Sequence, residues 1–328
     1  MRMVGKLIMS CDLSLVAAVA VASLAVLIPG PYLIPKLHAL KYGQSIRDEG
    51  PKSHQKKSGT PTMGGLMIIP AIAVGTIAVT GFDPEALLAV FVMVSHFAIG
   101  FTDDYIKVVK KRNLGLTAKQ KLLAQIIVAA AVIYTGHSYL NLKTAILIPA
   151  ADTDLELGSL YYAFVLCVLV GTTNAVNLTD GLDGLAAGTV AVAAAAYGVI
   201  SCLTGHPALM YFSAAVSAAC LAFLGFNHHP AKIFMGDTGS LALGGALAAV
   251  ALLTRTELLL VVVGGVFVAE ALSVIMQVAY FKLTGGRRIF RMSPLHHHYE
   301  LGGWSENRVV CTFWAAGVVF ALLGLFMI

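Results

Sequence analysis

Asn174-Ala-Val-Asn-Leu-Thr-Asp-Gly-Leu-Asp-Gly184 is a polar seam set between two long apolar runs, Leu160 to Val176 and Leu185 to Thr204. Two amides, Asn174 and Asn177, and two carboxylates, Asp180 and Asp183, recur at every third residue. Carboxylates beside hydrocarbon are costly unless something cationic meets them, so the seam points to a metal ion or a charged substrate. On an ideal helix each step of three turns by about 300°, so the first and last of the four face opposite sides. Gly181 and Gly184 suit a tightened turn or a break that lets Asn177, Asp180 and Asp183 converge on one ligand. The competing reading is a polar connection with Asp at a cap and Gly at turns, which accounts for neither the two amides nor the repeated spacing.

The runs on either side decide the fold class. Of 328 residues, 58% are hydrophobic and only 12% charged, about half the charged share of a soluble domain. Mean hydropathy is +0.82. Spans long enough for about 30 Å of hydrocarbon run from about Leu13 to Leu33, Thr62 to Thr80, Ala86 to Phe101, Leu122 to Thr135 and Leu160 to Val176, then Leu185 to Thr204, Ala208 to Phe226, Leu241 to Thr254, Leu258 to Phe281 and Val309 to Ile328. The expectation is an all-α, polytopic integral membrane protein of about ten transmembrane helices, folded as a single domain over 1–328. Arg2 and Lys6 ahead of the first run give it the look of a signal peptide, but the run is too long and is followed by a basic segment, which favours a retained helix. The five cysteines, Cys11, Cys167, Cys202, Cys220 and Cys311, lie scattered through apolar runs with no C-x-x-C pair, so they read as small buried hydrophobes.

Orientation follows from the basic residues, which concentrate in cytoplasmic loops. Of the 22 Lys and Arg, all but Arg2, Lys6, Lys143 and Arg255 fall on one side of the expected helices. Both termini then face outward, and the seam faces the cytoplasm. The outward loops carry Asp83, Glu85, Asp152, Asp154, Glu156 and Glu257 and read as solvated connections.

Four further segments share the seam's side. Phe101-Thr-Asp-Asp-Tyr-Ile-Lys107 sets Asp103 beside Asp104; adjacent acids repel and so invite a cation, while Asp104 and Lys107 also have the spacing of a surface ion pair. Downstream, Lys119 and Lys121 add positive charge. Phe226-Asn-His-His-Pro-Ala-Lys-Ile-Phe-Met-Gly-Asp-Thr-Gly-Ser240 puts Asp237 at a glycine turn before an apolar helix, as a metal ligand or as a cap. Asn227 and Phe234 offer an amide and a ring to a nucleobase, although a Phe beside a membrane helix also suits lipid. Arg291-Met-Ser-Pro-Leu-His-His-His-Tyr-Glu300 holds His296, His297 and His298; tandem histidines do not readily share one ion, and phosphate contact or proton transfer suits them better. Lys56-Lys57-Ser-Gly-Thr-Pro-Thr-Met-Gly-Gly65 could cradle phosphate but lacks the order of a Walker A loop. Glu270 stands alone deep in an apolar run, with nothing in the sequence tying it to the others.

Taken together, the carboxylates, lysines, amides and histidines are the inventory for metal-assisted phosphoryl transfer to or from an anionic substrate. The ordered set Gly59-Thr-Pro-Thr-Met-Gly-Gly65, Asp103-Asp104, Asn174 to Gly184, Phe234-Met-Gly-Asp237 and Pro294-Leu-His-His-His-Tyr-Glu300 resembles the polyprenyl-phosphate N-acetylhexosamine-1-phosphate transferases, in particular their phospho-N-acetylmuramoyl-pentapeptide branch. The resemblance covers nearly the whole chain. It implies transfer of phospho-MurNAc-pentapeptide from UDP-MurNAc-pentapeptide to undecaprenyl phosphate, giving lipid I and UMP with Mg²⁺, in a bacterial plasma membrane, by a homodimer with its site in the cytoplasm. Nucleic acid is not an expected partner. Asp237 with Asp103 or Asp104 is then expected to hold the metal, with Asp103, Asp104, Asp237 and His297 in the chemistry. Lys107, Lys119 and Lys121 are assigned to the diphosphate, Asn177, Asp180, Asp183, Asn227 and Phe234 to the nucleotide end, and Lys57, Asn174, His296 and His298 to substrate binding. Whether Asp103 acts as base or nucleophile stays open. A GlcNAc-1-phosphate transferase would share the acids but differ in the histidine loop. An ion-coupled transporter would place its acids near the midplane rather than at loop ends.

Overall fold

A computed structural model of the chain describes residues 13–40, 57, 59–110, 114–140, 142–148 and 153–328. Arg2, Lys6, Cys11, Lys56 and Asp152, which entered the sequence reading, lie outside the described residues. The elements are α1 (Leu13–Leu27), α2 (Gly30–Ala39), α3 (Gly65–Thr80), α4 (Pro84–Val109), α5 (Ala118–Tyr139), β1 (Ala145–Ile148), β2 (Thr153–Glu156), α6 (Leu160–Thr179), α7 (Leu185–Leu203), α8 (Pro207–Asn227), α9 (Gly236–Leu253), α10 (Glu257–Val263), α11 (Gly265–Leu283), α12 (Leu295–Glu300) and α13 (Glu306–Phe326). Among the described residues nine spans are long and apolar enough to cross a membrane, the first joining α1 and α2, and the shorter α3 makes a tenth apolar helix. The protein is an all-α polytopic membrane protein, as its long apolar runs implied.

Local chemistry sets the helix ends. Asp83 caps α4 by accepting the Glu85 and Ala86 N–H groups at 3.0 Å, with Pro84 in the first turn where its missing N–H is harmless. Thr117 and Gln120 form a reciprocal capping box at the start of α5. Ser305 caps α13.

Four details depart from the sequence expectation. The first span runs beyond Leu33 to Ala39 and turns at Pro29, between α1 and α2. The span expected to stop at Phe101 continues to Val109, so Asp103, Asp104 and Lys107 project from a helix rather than from a loop. The run Leu258 to Phe281 is divided at Gly264 into α10 and α11. Finally, β1 and β2 pair antiparallel, with Ala145 opposite Glu156 and Ile148 opposite Thr153, so an expected plain connection contains a hairpin. The hairpin is latched to the end of α9 by Arg255, which donates to Asp154 at 2.6 Å.

The core is built around α9. Every residue from Thr238 to Leu253 is buried, against α3, α4 and α6. Such a helix must be thin-skinned to admit so many neighbours, and the sequence Gly-Asp-Thr-Gly-Ser-Leu-Ala-Leu-Gly-Gly-Ala from Gly236 supplies small residues. Backbone meets backbone here: a Cβ added at Gly65 would lie 2.4 Å from the Gly239 nitrogen, and one at Gly100 would lie 2.0 Å from the Asp237 carbonyl oxygen. Gly64 and Gly65, at the end of the Gly59–Gly65 loop, therefore permit close approach. The loop is tied to the entry of α9 by Phe234 N–H to Pro61 O at 2.8 Å, Gly64 N–H to Phe234 O at 2.8 Å and Gly65 N–H to Met235 O at 3.1 Å. In consequence the N-terminus of α9, with Asp237, is held rigidly at one end of the bundle.

Candidate active site

Three carboxylates meet at that end. Asp103 and Asp104 come from the last turns of α4 and Asp237 from the first turn of α9, and each offers an oxygen within 4.8 Å of the others. Asp103 is 1% exposed and Asp104 4%. Asp104 Oδ2 accepts the Thr238 N–H at 2.8 Å and its hydroxyl at 2.6 Å, while Asp103 Oδ1 accepts the Leu116 N–H at 2.7 Å. Gly236, at φ +72°, lets the chain turn into α9 within reach of Asp104; a Cβ there would stand 2.5 Å from Asp104 Oδ2.

Two lysines thread this cluster. Lys107 Nζ is 2.6 Å from Asp103, 3.7 Å from Asp104 and 3.3 Å from Asp237. Lys121 Nζ, from α5, is 3.1 Å from Asp103 and 2.7 Å from Asp237. Lys107 thus bridges the set rather than pairing with Asp104 alone. Asn177 donates to Asp237 Oδ1 at 2.9 Å and to Ser240 at 2.9 Å. Asp180, the C-cap of α6, lies close by: burial, followed by the charges of Asp237 and Asp104, pushes its carboxyl well above the usual carboxylate range.

Asp183 belongs to a second cluster. Its Oδ1 is 2.8 Å from Lys57 Nζ, and its Oδ2 accepts the Ala231 N–H at 3.1 Å and faces His229 Nδ1 at 2.9 Å. Glu306, at the start of α13, accepts the Asp183 N–H at 2.8 Å and meets Lys57 at 2.5 Å and His229 at 3.2 Å. This cluster lines a cavity of about 720 Å³ whose wall also includes Phe234, Trp304 and Glu300. The seam therefore does not converge on one point. Its helix stops at Thr179, Gly184 turns in the left-handed region at φ +79°, and the reversal sends Asn177 and Asp180 toward Asp237 but Asp183 toward Lys57.

Other sequence candidates fall elsewhere. Asn227 is 3% exposed; its Oδ1 accepts the Gly184 N–H at 3.0 Å and its Nδ2 donates to Ile233 O at 2.9 Å, so both ends of the amide hold loops together. Asn174 donates to Val170 O at 2.8 Å and lies beside Gln125 at 3.5 Å, a turn away from the carboxylates. Lys119 is exposed on the first turn of α5, and it is Lys121 that reaches the acids. The three histidines lie on the short helix α12 and diverge. His296 is buried against Glu270, His297 Nδ1 is 2.9 Å from Glu300, and His298 accepts the Arg291 N–H at 3.1 Å. Glu270 is consequently tied to the site end after all, contrary to its isolation in the sequence. Sequence reading passed over Glu306 and His229: a single acid opening an apolar run looks like a helix cap, and no local spacing joins it to residues 123 positions away.

Residues 86–255 match the family model described as glycosyl transferase family 4, and residues 57–69 match phospho-N-acetylmuramoyl-pentapeptide-transferase signature 1. Proteins named phospho-N-acetylmuramoyl-pentapeptide-transferase are similar along most of the chain. The one from Bacillus subtilis (strain 168) is 60% identical over 90% of this chain and 92% of its own length. Those from Shouchella clausii and Geobacillus kaustophilus are 57% and 56% identical, over 92% and 96% of this chain and 94% and 98% of theirs. With three acids, two lysines and a polar cavity gathered on a membrane bundle, and with that similarity, the chain belongs to the phospho-N-acetylmuramoyl-pentapeptide-transferase family.

Proposed function

We propose that the protein transfers phospho-MurNAc-pentapeptide from UDP-MurNAc-pentapeptide to undecaprenyl phosphate, releasing UMP and forming lipid I, at the cytoplasmic face of a bacterial plasma membrane. The observation that carries the reading is the convergence of Asp103, Asp104 and Asp237 with Lys107 and Lys121 beside the Asp183 cavity. The side on which basic residues concentrate supports the cytoplasmic placement.

The donor set suits Mg²⁺: hard carboxylate oxygens on a rigid helix pair, with three negative charges set against two ammonium groups. Asp103, Asp104 and Asp237 would hold the ion, whose chemistry there is to neutralise diphosphate oxygens. Lys107 and Lys121 lie where they can bind the same oxygens and orient the phosphorus for attack. Lys57 and Asp183, in the cavity with Phe234, are placed for the nucleotide end. The lipid phosphate, largely dianionic at neutral pH with a second pKa of about 6, needs little help from a base. Its oxygen attacks the sugar-side phosphorus, the P–O bond to UMP breaks, and UMP leaves with the electron pair. The lipid's tail stays in the membrane throughout, because withdrawing it would cost about 0.8 kcal/mol per buried CH₂.

Purified protein supplied with labelled UDP-MurNAc-pentapeptide, undecaprenyl phosphate and Mg²⁺ should yield labelled lipid and UMP. Productive use of UDP-GlcNAc in its place would move the protein to the GlcNAc-1-phosphate branch. Asp237→Asn should abolish Mg²⁺-dependent turnover, and normal turnover with unchanged Mg²⁺ dependence would remove it from the metal site. With all polyprenyl phosphate removed, direct displacement permits no exchange of labelled UMP into the UDP-substrate. Exchange on the catalytic timescale, with sugar phosphate trapped on Asp103 or Asp104, would establish a covalent route instead.

A further inference from the structure

Glu270 sits in the second turn of α11, 0% exposed, directly after the apolar stretch Val266-Phe-Val-Ala269. A buried acid in a membrane helix is retained at a cost, so its contacts define its purpose. Its Oε1 receives two groups from one residue of another helix: the His296 backbone N–H at 3.3 Å and His296 Nδ1 at 3.1 Å. An oxygen that accepts the backbone N–H is also an acceptor for the ring nitrogen facing it, an arrangement that favours a hydrogen on Nδ1 and leaves Nε2 on the opposite side of the ring. His296 is itself 0% exposed, and its Nε2 has no hydrogen-bond partner among the described residues. That nitrogen points at Gly181, next to Asp180 in the seam: a Cβ added there would stand 2.2 Å from it.

We propose that Glu270 is a positioning residue for the transfer reaction, fixing the Nδ1–H tautomer of His296 and seating its ring against Gly181, so that the turn of the seam carrying Asp180 is held at the carboxylate site. The inference rests on the function proposed above and assigns a role to an acid that neither the motifs nor the carboxylate cluster uses. The arrangement is that of an acid behind an imidazole, in which the acid fixes the orientation of the ring and the ring supports the site. It also explains the glycine: any side chain at position 181 would occupy the space in front of Nε2.

The test combines kinetics with a readout of the ring. Protein labelled with ¹⁵N-histidine, compared with His296→Gln for assignment, should show His296 protonated at Nδ1 and unprotonated at Nε2. In Glu270→Leu that preference should be lost. Turnover of Glu270→Leu should fall about 100-fold or more, as when the orienting acid behind a catalytic histidine is removed, with KM for the UDP-substrate changing far less. Glu270→Gln, whose amide oxygen can still accept from both groups, should restore the tautomer and much of the rate. In a His296→Gln background, Glu270→Leu should cost nothing further. Thermal unfolding and UMP binding establish that each variant is folded. The proposal is overturned by an Nε2-protonated ring in the parent protein, or by a folded Glu270→Leu that turns over normally. If the parent protein catalyses no lipid formation, the proposed function fails on its own, while the ring spectrum still reports the Glu270–His296 geometry.

Discussion

Replacing Gly65 by alanine should separate α9, which carries Asp237, from its support without touching any functional group. The new methyl would lie 2.4 Å from the Gly239 nitrogen, 2.5 Å from the Thr238 carbonyl carbon and 2.7 Å from the Gly239 Cα, all backbone atoms that cannot rotate away. Ordinary contact needs about 3.5 Å, so α3 and α9 must part by about 1 Å. The displaced segment carries Thr238, which holds Asp104 at 2.8 and 2.6 Å, and Asp237, which meets Lys121 at 2.7 Å. A shift of that size takes these bonds beyond hydrogen-bonding distance. Misplacement of reacting groups by about 1 Å costs about 100-fold in rate, and overpacking costs about 1–3 kcal/mol in stability. Turnover in lipid nanodiscs and thermal unfolding would be measured together. The expected result is a protein that still folds but turns over about 100-fold more slowly, the rate penalty quoted above for such misplacement. Gly171→Ala is the control, because nothing lies within 4 Å of a Cβ at that exposed helical position. It should leave turnover unchanged. A Gly65→Ala protein with normal turnover would show that α9 is not rigidly seated and would refute the reasoning.

Lys121→Ala should reduce turnover by at least about 100-fold by leaving Asp103 and Asp237 short of a partner in a buried site, whereas Lys119→Ala, two residues away and exposed, should stay near the parent rate; equal losses would deny Lys121 its place. Asn227→Leu should lower stability by about 2–4 kcal/mol, because the Gly184 N–H and Ile233 C=O would both be left buried without a partner; unchanged unfolding with loss of UMP binding would return Asn227 to the nucleotide. At the opposite end of the bundle, burial pushes Glu257 up from 4.5 to about 7 despite the Tyr161 hydroxyl donating to it at 2.8 Å. An acid whose folded pKa is raised makes the folded state bind protons more tightly, so stability falls as pH rises from about 4.5 to about 7, by up to about 3 kcal/mol. Glu257→Gln should flatten that slope in unfolding measurements across the window, and a slope that persists would place its origin elsewhere.

The membrane bundle was legible because runs of apolar residues report burial in hydrocarbon directly, whatever their neighbours are. Glu257 and Glu270 show what such a reading misses: each is a single acid whose partner, Tyr161 or His296, is far away in sequence, and hydropathy carries no record of pairing. The site acids were legible for a different reason. Asp103, Asp104, Asp180, Asp183 and Asp237 break apolar stretches, and a charge there needs an explanation.

What the acids do to one another was not legible, and the seam shows why. Spacing by threes constrains geometry only while the helix lasts, and this one ends at Thr179, four residues before Asp183, the last of the positions expected to share its ligand. Beyond that point the direction of each side chain is set by Gly184 in its left-handed turn and by Asn227 holding the Gly184 N–H, two features that act through tertiary contact. The same turn that parts Asp183 from Asp180 gives the protein two polar compartments side by side. One gathers Asp103, Asp104 and Asp237 with two lysines, and the other gathers Asp183, Glu306 and His229 around Lys57. Each holds carboxylates against cations, the first around Lys107 and Lys121 and the second around Lys57, so the turn divides the charge instead of pooling it. The break in the helix is thus the element that turns a row of acids into a site with two ends.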